Sequence, residues 1–224
     1  MTIEILKHDA MGTTRLVRAG EAPYVERDTR TAHPLVRWLA RRLAAREAAA
    51  LAGLAGEPHV PRLLEFDGKV VRRSYLPGVR LFEAPPRSRA YFVHALRVLR
   101  RVHRAGVAHN DLAKEANWLV VRDDTCAIVD FQLATYSPTR TARFRRGAYE
   151  DLRHLLKHKR TYQPLGLTAR QRRILARPTV GTRAWRALVK PAYRFVTRTV
   201  LRWPERSGPT ERSGLESPPG SRLG

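Results

Sequence analysis

Apolar and polar positions change their period several times along the chain, and each change marks an element. Ile3 and Ile5 alternate with polar neighbours, and Leu16-Val17 and Tyr24-Val25 are further apolar pairs set off by Gly12 and by residues 20–23. Alternation between turn formers predicts short strands across residues 3–28. From Pro34 the period lengthens: Leu39, Leu43, Glu47 and Leu51 stand four apart, which predicts a helix over 34–54, closed near Gly53 and Gly56. Leu63-Leu64 and Phe66, an Asp67-Gly68 turn and Val70-Val71 predict a hairpin over 62–75. Tyr75-Leu76-Pro77-Gly78 breaks every pattern and reads as a linker between two lobes.

Beyond the linker, Phe92, Ala95, Leu96, Leu99 and Val102 share one face of a helix predicted over 88–105, with Gly106 as its stop. Trp118 to Val121 and Cys126 to Phe131 predict a second hairpin around residues 122–125. Basic helices are predicted from about 150 to 203. The tail, 205–224, is rich in Ser, Gly, Pro and Glu and reads as disordered.

Composition narrows the classes. The 224 residues suffice for one domain or two small lobes with a shared core, and 43% hydrophobic content argues against wholesale disorder. No apolar run reaches the roughly 18–20 residues of a membrane span. The start has a Glu at position 4 and no apolar signal core, which predicts a cytoplasmic chain. A single cysteine, Cys126, excludes an internal disulfide framework and a Cys-type zinc site. The net charge of +23 is uneven: from Arg153 to Pro204 there are fourteen basic residues and no acidic one. Such a stretch is drawn to phosphate-rich surfaces, or else it is a solvated basic face.

The most informative stretch is His109-Asn-Asp-Leu-Ala-Lys-Glu-Ala-Asn117, followed by a hairpin ending in Val129-Asp-Phe-Gln132. A loop, a tight hairpin and a second loop bring Asp111 and Asp130 to the mouth of one cleft. Two carboxylates and an amide there offer a proton acceptor and oxygen ligands for a hard cation.

These motifs resemble the protein-kinase-like superfamily, with its His-Arg-Asp-Leu loop and Asp-Phe-Gly. The shortened plan is less like a regulated eukaryotic-type protein kinase and more similar to the compact kinases of bacteria and archaea, the lipopolysaccharide-core sugar kinases and the RIO-type kinases. The resemblance implies an α+β, two-lobed fold: a small antiparallel-sheet N-lobe plus one helix, and a reduced, mainly helical C-lobe. Residues 1–76 would be the N-lobe, 77–180 the C-lobe, 181–204 a basic amphipathic helix and 205–224 the tail. It implies ATP and Mg²⁺ as cofactors. Asp111 and Lys114 would be catalytic, Lys114 stabilising charge on the transferred phosphate, and Asn117 and Asp130 would hold the metal. His109 would brace the loop. Gly12, Thr13, Arg27, Glu47, Ser74 and Leu76 would contact or position the nucleotide. The pair Arg27–Glu47 stands where the family has a strand Lys and a helix Glu; the alternative is a Glu47 at the stripe's edge, paired on the surface with Arg46 or Arg42.

Several positions depart from the family pattern. Arg27 replaces Lys, Gln132 replaces Gly, and the loop Ala10-Met11-Gly12-Thr13-Thr14 has one Gly. One residue more, placed at Ala113, separates Asp111 from Asn117. No Ala-Pro-Glu follows, and about twenty residues separate Asp130 from Asp151, which is expected to open the next core helix. This short segment is basic, with Arg140, Arg143, Arg145 and Arg146.

In the C-terminal stretch Arg183, Arg186, Lys190, Arg194, Arg198 and Arg202 recur every three or four residues among Trp185, Phe195, Val196 and Trp203. This reads either as an amphipathic helix at an anionic membrane surface or as a helix packed on the large lobe. The resulting expectation is a kinase whose acceptor is a hydroxyl on an envelope glycolipid or sugar, or a protein Ser/Thr, at the inner membrane. A nucleotide-binding pseudokinase scaffold is the second expectation. Nucleic-acid binding is the third and weakest, because no recognised binding motif accompanies the charge.

Overall fold

The computed structural model describes residues 1–176 apart from 21 and 87. The predicted basic helix at 181–204 and the tail at 205–224 lie outside the described residues.

Five antiparallel strands form the first sheet: β1 (Thr2–Asp9), β2 (Gly12–Arg18), β3 (Tyr24–Asp28), β4 (Leu63–Phe66) and β5 (Val70–Ser74). Their spatial order is β1-β2-β3-β5-β4, because the helix α1 (Arg37–Gly53) intervenes between β3 and β4. Cross-strand register puts Leu16, Val25 and Arg73 in one row and Thr14, Arg27 and Val71 in the next. Directly opposed residues share a face, so the face carrying Val25 also carries Arg27 and Arg73. Residues one step out of phase form an ion ladder on the other face, where Arg72 joins Glu26 (2.9 Å) to Glu65. The β4–β5 turn is fixed by Asp67, whose Oδ1 accepts the amides of Lys69 and Val70, and by Gly68 at φ +86°.

α1 buries Ala40, Ala44, Glu47, Ala48, Ala50 and Leu51. This corrects the expected Leu39–Leu43–Glu47–Leu51 stripe. The small alanines occupy the contact line, and Leu39 and Leu43 stand half-buried at its margin. A line of methyl groups lets the helix axis approach its neighbours closely, which brings Glu47 within reach of the sheet.

The second half is mainly helical. α2 (Ala90–Arg104) buries Tyr91, Phe92, Ala95, Val98, Leu99 and Val102. The short strands β6 (Val79–Arg80), β8 (Trp118–Val121) and β9 (Thr125–Ile128) make one small sheet, and β7 (Val107–Ala108) pairs with β10 (Thr135–Tyr136). β9 stops at Ile128, short of the predicted Phe131, because Asp130 turns left-handed at φ +69° and residues 131–133 form a 3-10 turn. α3 runs from Ala142 to Tyr162, capped by the Thr141 hydroxyl on the Phe144 amide. It begins about eight residues before the predicted start, so Asp151 lies mid-helix instead of opening it. The last helix among the described residues, α4, spans Ala169–Ala176.

One apolar core joins the halves: Leu51, Leu54 and Val60 pack with Tyr91, Leu99, Leu112, Trp118, Ile128, Phe131 and Leu155. The arrangement is an α+β fold of two lobes, one built on the antiparallel sheet and one mainly helical. No helix among the described residues is long and apolar enough to cross a membrane.

Candidate active site

β7 delivers the chain to His109-Asn110-Asp111, and a fully buried carboxylate holds it there. Asp151 on α3 accepts the backbone amides of His109 (2.7 Å) and Asn110 (2.9 Å), with His103 Nε2 at 3.2 Å. Charge-assisted bonds of this kind offset the left-handed backbone of Asn110 at φ +66°. The Asn110 amide donates to the Leu133 carbonyl (2.9 Å) and to Thr135 Oγ1 (3.0 Å), which ties the loop to the segment after Asp130. His109 braces from the other side. Its Nε2 donates to the Val129 carbonyl (3.0 Å), its Nδ1 accepts the Asp111 amide (3.3 Å), and its ring lies 4.6 Å from that of Phe131.

Asp111 Oδ2 receives Lys114 Nζ at 2.7 Å and Asn117 Nδ2 at 3.2 Å. The same Asn117 nitrogen donates to the Asp111 carbonyl at 2.9 Å, so the amide oxygen is the end left to face elsewhere. Burial raises the Asp111 pKa above the ordinary carboxylate range; the Asp130 charge adds to the rise and Lys114 opposes it. Asp130 is pulled both ways. Burial would raise its pKa, but Lys114, Arg73, His109 and Arg27 together outweigh burial and hold it below the usual range. Asp130 therefore stays ionised, yet its Oδ1 is buried with no hydrogen-bond partner among the described residues. A buried ionised oxygen without a donor is costly unless something binds it.

Glu47 is buried completely, and two guanidiniums share it. Arg27 Nη1 lies 3.3 Å from Oε2 and Arg73 Nη1 lies 2.6 Å from Oε1. The surface pairing with Arg46 or Arg42 is thereby excluded. Arg46 instead donates through Nε and Nη2 to the carbonyls of Leu133 (2.8 Å) and Ala134 (3.0 and 3.2 Å). α1 thus fixes both the Arg27–Glu47 pair and the backbone beyond Asp130.

Two predicted positions fall differently. Thr13 pairs across from Asp28, on the face away from Arg27, and its hydroxyl is engaged by His8 (2.8 Å) and Thr31 (3.0 Å). Thr14 is the hydroxyl that faces with Arg27, a one-residue correction set by the β1–β2 turn. Gly12 serves close approach: at φ +115°, a Cβ there would lie 2.3 Å from the Asp28 carbonyl oxygen. Ser74 is out of phase with Arg27 as well, its Oγ accepting the Arg62 amide at 2.9 Å. Ser74 and Leu76 line a pocket of about 270 Å³ with Leu54, Glu57, Val60 and Arg62. Sequence reasoning missed Arg73, Arg46 and the anchoring role of Asp151. Only Arg73 carried a signal, since it lies two residues from Val71 and thus on the same strand face.

The donor set suits a hard cation carried by a nucleotide. Among the described residues no cluster of three His, Cys, Asp or Glu could hold a metal alone. One carboxylate and one amide oxygen, completed by phosphate oxygens and water, is the usual Mg²⁺ arrangement.

No protein-family model matches the chain, and no curated protein matches it. Solved structures do. The chain is similar to the crystal structure of the Rio2 kinase from Chaetomium thermophilum, with a TM-score of 0.56 and 15% identity, over 78% of this chain and 61% of that one. A second similar structure is the Rio2 kinase-ADP/Mg²⁺-phosphoaspartate complex from the same organism, with a TM-score of 0.54 and 15% identity, over 78% and 60%. The chain spans about three-fifths of the length of these structures. At this identity the likeness establishes the protein-kinase-like fold. It bears on the RIO-type side of the expected resemblance; the lipopolysaccharide-core side has no counterpart in these two structures.

Proposed function

We propose that the chain is a small Mg-ATP-dependent phosphotransferase acting on a hydroxyl. The observation that carries this reading is the ionised Oδ1 of Asp130, which has no hydrogen-bond partner among the described residues, beside Asp111 and Asn117. Asp130 and the Asn117 amide oxygen would hold Mg²⁺, which supplies charge neutralisation on the nucleotide phosphates. Asp111 accepts the proton of the incoming hydroxyl, and its raised pKa brings it nearer the strength a general base needs. Lys114, already on Asp111, places a cation beside the transferred group. Arg27, oriented by Glu47, faces the nucleotide phosphates, and the chain at Leu76 faces its base, whereas the Ser74 amide is taken by the Arg62 carbonyl at 2.9 Å. That a similar kinase forms an ADP/Mg²⁺ complex supports the choice of cofactors.

The acceptor is a hydroxyl on an envelope glycolipid or sugar, or a protein Ser/Thr. Residues 1–76 and 77–180 are the two lobes, and the basic repeat at 183–203 attaches a cytoplasmic enzyme to the inner membrane surface. The test is phosphate transfer by wild type and by Asp111→Ala. At least a hundred-fold loss is expected from removing a general base; equal activity would sink the role of Asp111.

A second reading, a nucleotide-binding pseudokinase, is favoured by one contact. Arg73 takes the shorter bond to Glu47 and so competes with Arg27 for its orienting partner. Arg27→Lys separates the two readings: stronger turnover marks a degenerate enzyme, and no turnover in either form marks a scaffold.

A further inference from the structure

The arginines around the segment after Asp130 have no part in the proposed chemistry, yet the fold gathers them beside it. α1 contains Arg37, Arg41, Arg42 and Arg46 and a single acid, Glu47, which is turned inward. Residues 131–149 contain Arg140, Arg143, Arg145 and Arg146 and no acid. Arg42 and Arg46 stand one turn apart on α1. Arg143, Gly147 and Asp151 stand one turn apart on α3, and that line faces the catalytic loop. Asp151 binds the loop backbone, and a Cβ at Gly147 would lie 2.3 Å from Asn110 Oδ1. Arg143 extends the same line by one turn.

Arg46 links this rim to Asp111. Its Nη2 and the Asn110 amide both donate to the Leu133 carbonyl, at 2.8 and 2.9 Å, and Asn110 directly precedes Asp111. Those bonds to carbonyls use Nε and Nη2, and Nη1 takes no part in them. Burial lowers the Arg46 pKa, and the charges of Arg143 and Arg42 push the same way, so Arg46 is repelled from both sides. A bound anion relieves that repulsion, and guanidinium forks match the geometry of phosphate oxygens.

We propose that Arg42, Arg46 and Arg143 form a subsite for a phosphate group on the acceptor, one that lies close to the hydroxyl presented to Asp111. The acceptor class is thereby narrowed to molecules that already carry a phosphate monoester or diester. The inference rests on the kinase reading for the word acceptor, while the anion site itself does not.

The test is calorimetric titration of the full chain with inorganic phosphate, against chloride at matched ionic strength. Wild type is compared with the double variant Arg42→Gln/Arg143→Gln and with Arg97→Gln, an exposed α2 position. All three positions are exposed, so folding is preserved. Affinity for phosphate is expected to fall about ten-fold or more in the double variant and to stay unchanged in Arg97→Gln. The Mg-ATP response of the double variant is expected to match wild type. Unchanged phosphate affinity in the double variant would overturn the proposal, as would no phosphate binding by wild type. A double variant that loses only RNA or anionic-vesicle binding would overturn it too, in favour of a polyanion surface. The titration contains no nucleotide, so its failure is distinct from a failure to bind Mg-ATP.

Discussion

Glu47 shows how one side chain can organise a cleft. It is fully buried, and its two oxygens divide between Arg27 from β3 and Arg73 from β5. Two cations on one anion leave a net positive charge beneath the sheet, and the carboxylate of Asp130 balances it at the cleft floor. Removing the shared anion leaves the buried Arg27 and the partly buried Arg73 with only Asp130 to offset them. Glu47→Ala is expected to destabilise the protein by about 3–5 kcal/mol, the cost of breaking a buried ion pair. Denaturant unfolding checks this; a loss below about 1 kcal/mol would mean that water already solvates the pair. The Arg27–Glu47 contact was legible because a cation ending one strand precedes a helix whose inward face holds a single acid. Arg73 was less legible because Arg72 and Arg73 are adjacent and identical, and only strand phase separates a surface ladder from the cleft. Thr13 and Thr14 pose the same problem, and the turn at Gly12 decides it.

Most elements were readable from period and punctuation. β4 and β5 follow from paired apolar runs around Asp67-Gly68, and α2 follows from a clean apolar face closed by Gly106. α3 was misplaced because its first turns, Ala-Arg-Phe-Arg-Arg-Gly, offer one large apolar residue and no repeat. What holds those turns is tertiary: Phe144 is buried, and Gly147 lets the helix close onto Asn110. Asp151 was misread for the same reason. An Asp next to Glu150 in an otherwise basic stretch gives no sign that it accepts two backbone amides about forty residues upstream. α1 was found but rotated, because alanines score weakly as apolar although they define the closest contact.

At the scale of the molecule, three histidines set the response to acid. Burial lowers the pKa of His59 and of His94, and it lowers His154 to about 3. His94 Nδ1 also accepts the Cys126 amide at 3.0 Å, a bond that protonation would remove. The unfolded chain takes up these protons near pH 6.5, whereas the folded chain refuses them until lower pH. Stability is therefore complete above about pH 7 and falls as pH drops below about 6.5. For His154 the slope approaches about 1.4 kcal/mol per pH unit. Chemical denaturation between pH 8 and 5 reads this directly. His154→Gln is expected to flatten the slope, and a wild type equally stable at both ends would refute the assignment.

The central claim is that Asp130 and Asn117 hold a cation brought by a nucleotide. A ligand that binds only the folded state raises the melting temperature, by an amount set by its concentration relative to Kd. The most direct measurement is therefore Tm with and without Mg-ATP, for wild type and for Asp130→Ala. The account predicts a Mg-dependent rise of several degrees in wild type that Asp130→Ala abolishes. No rise in wild type, or an equal rise in Asp130→Ala, would contradict it.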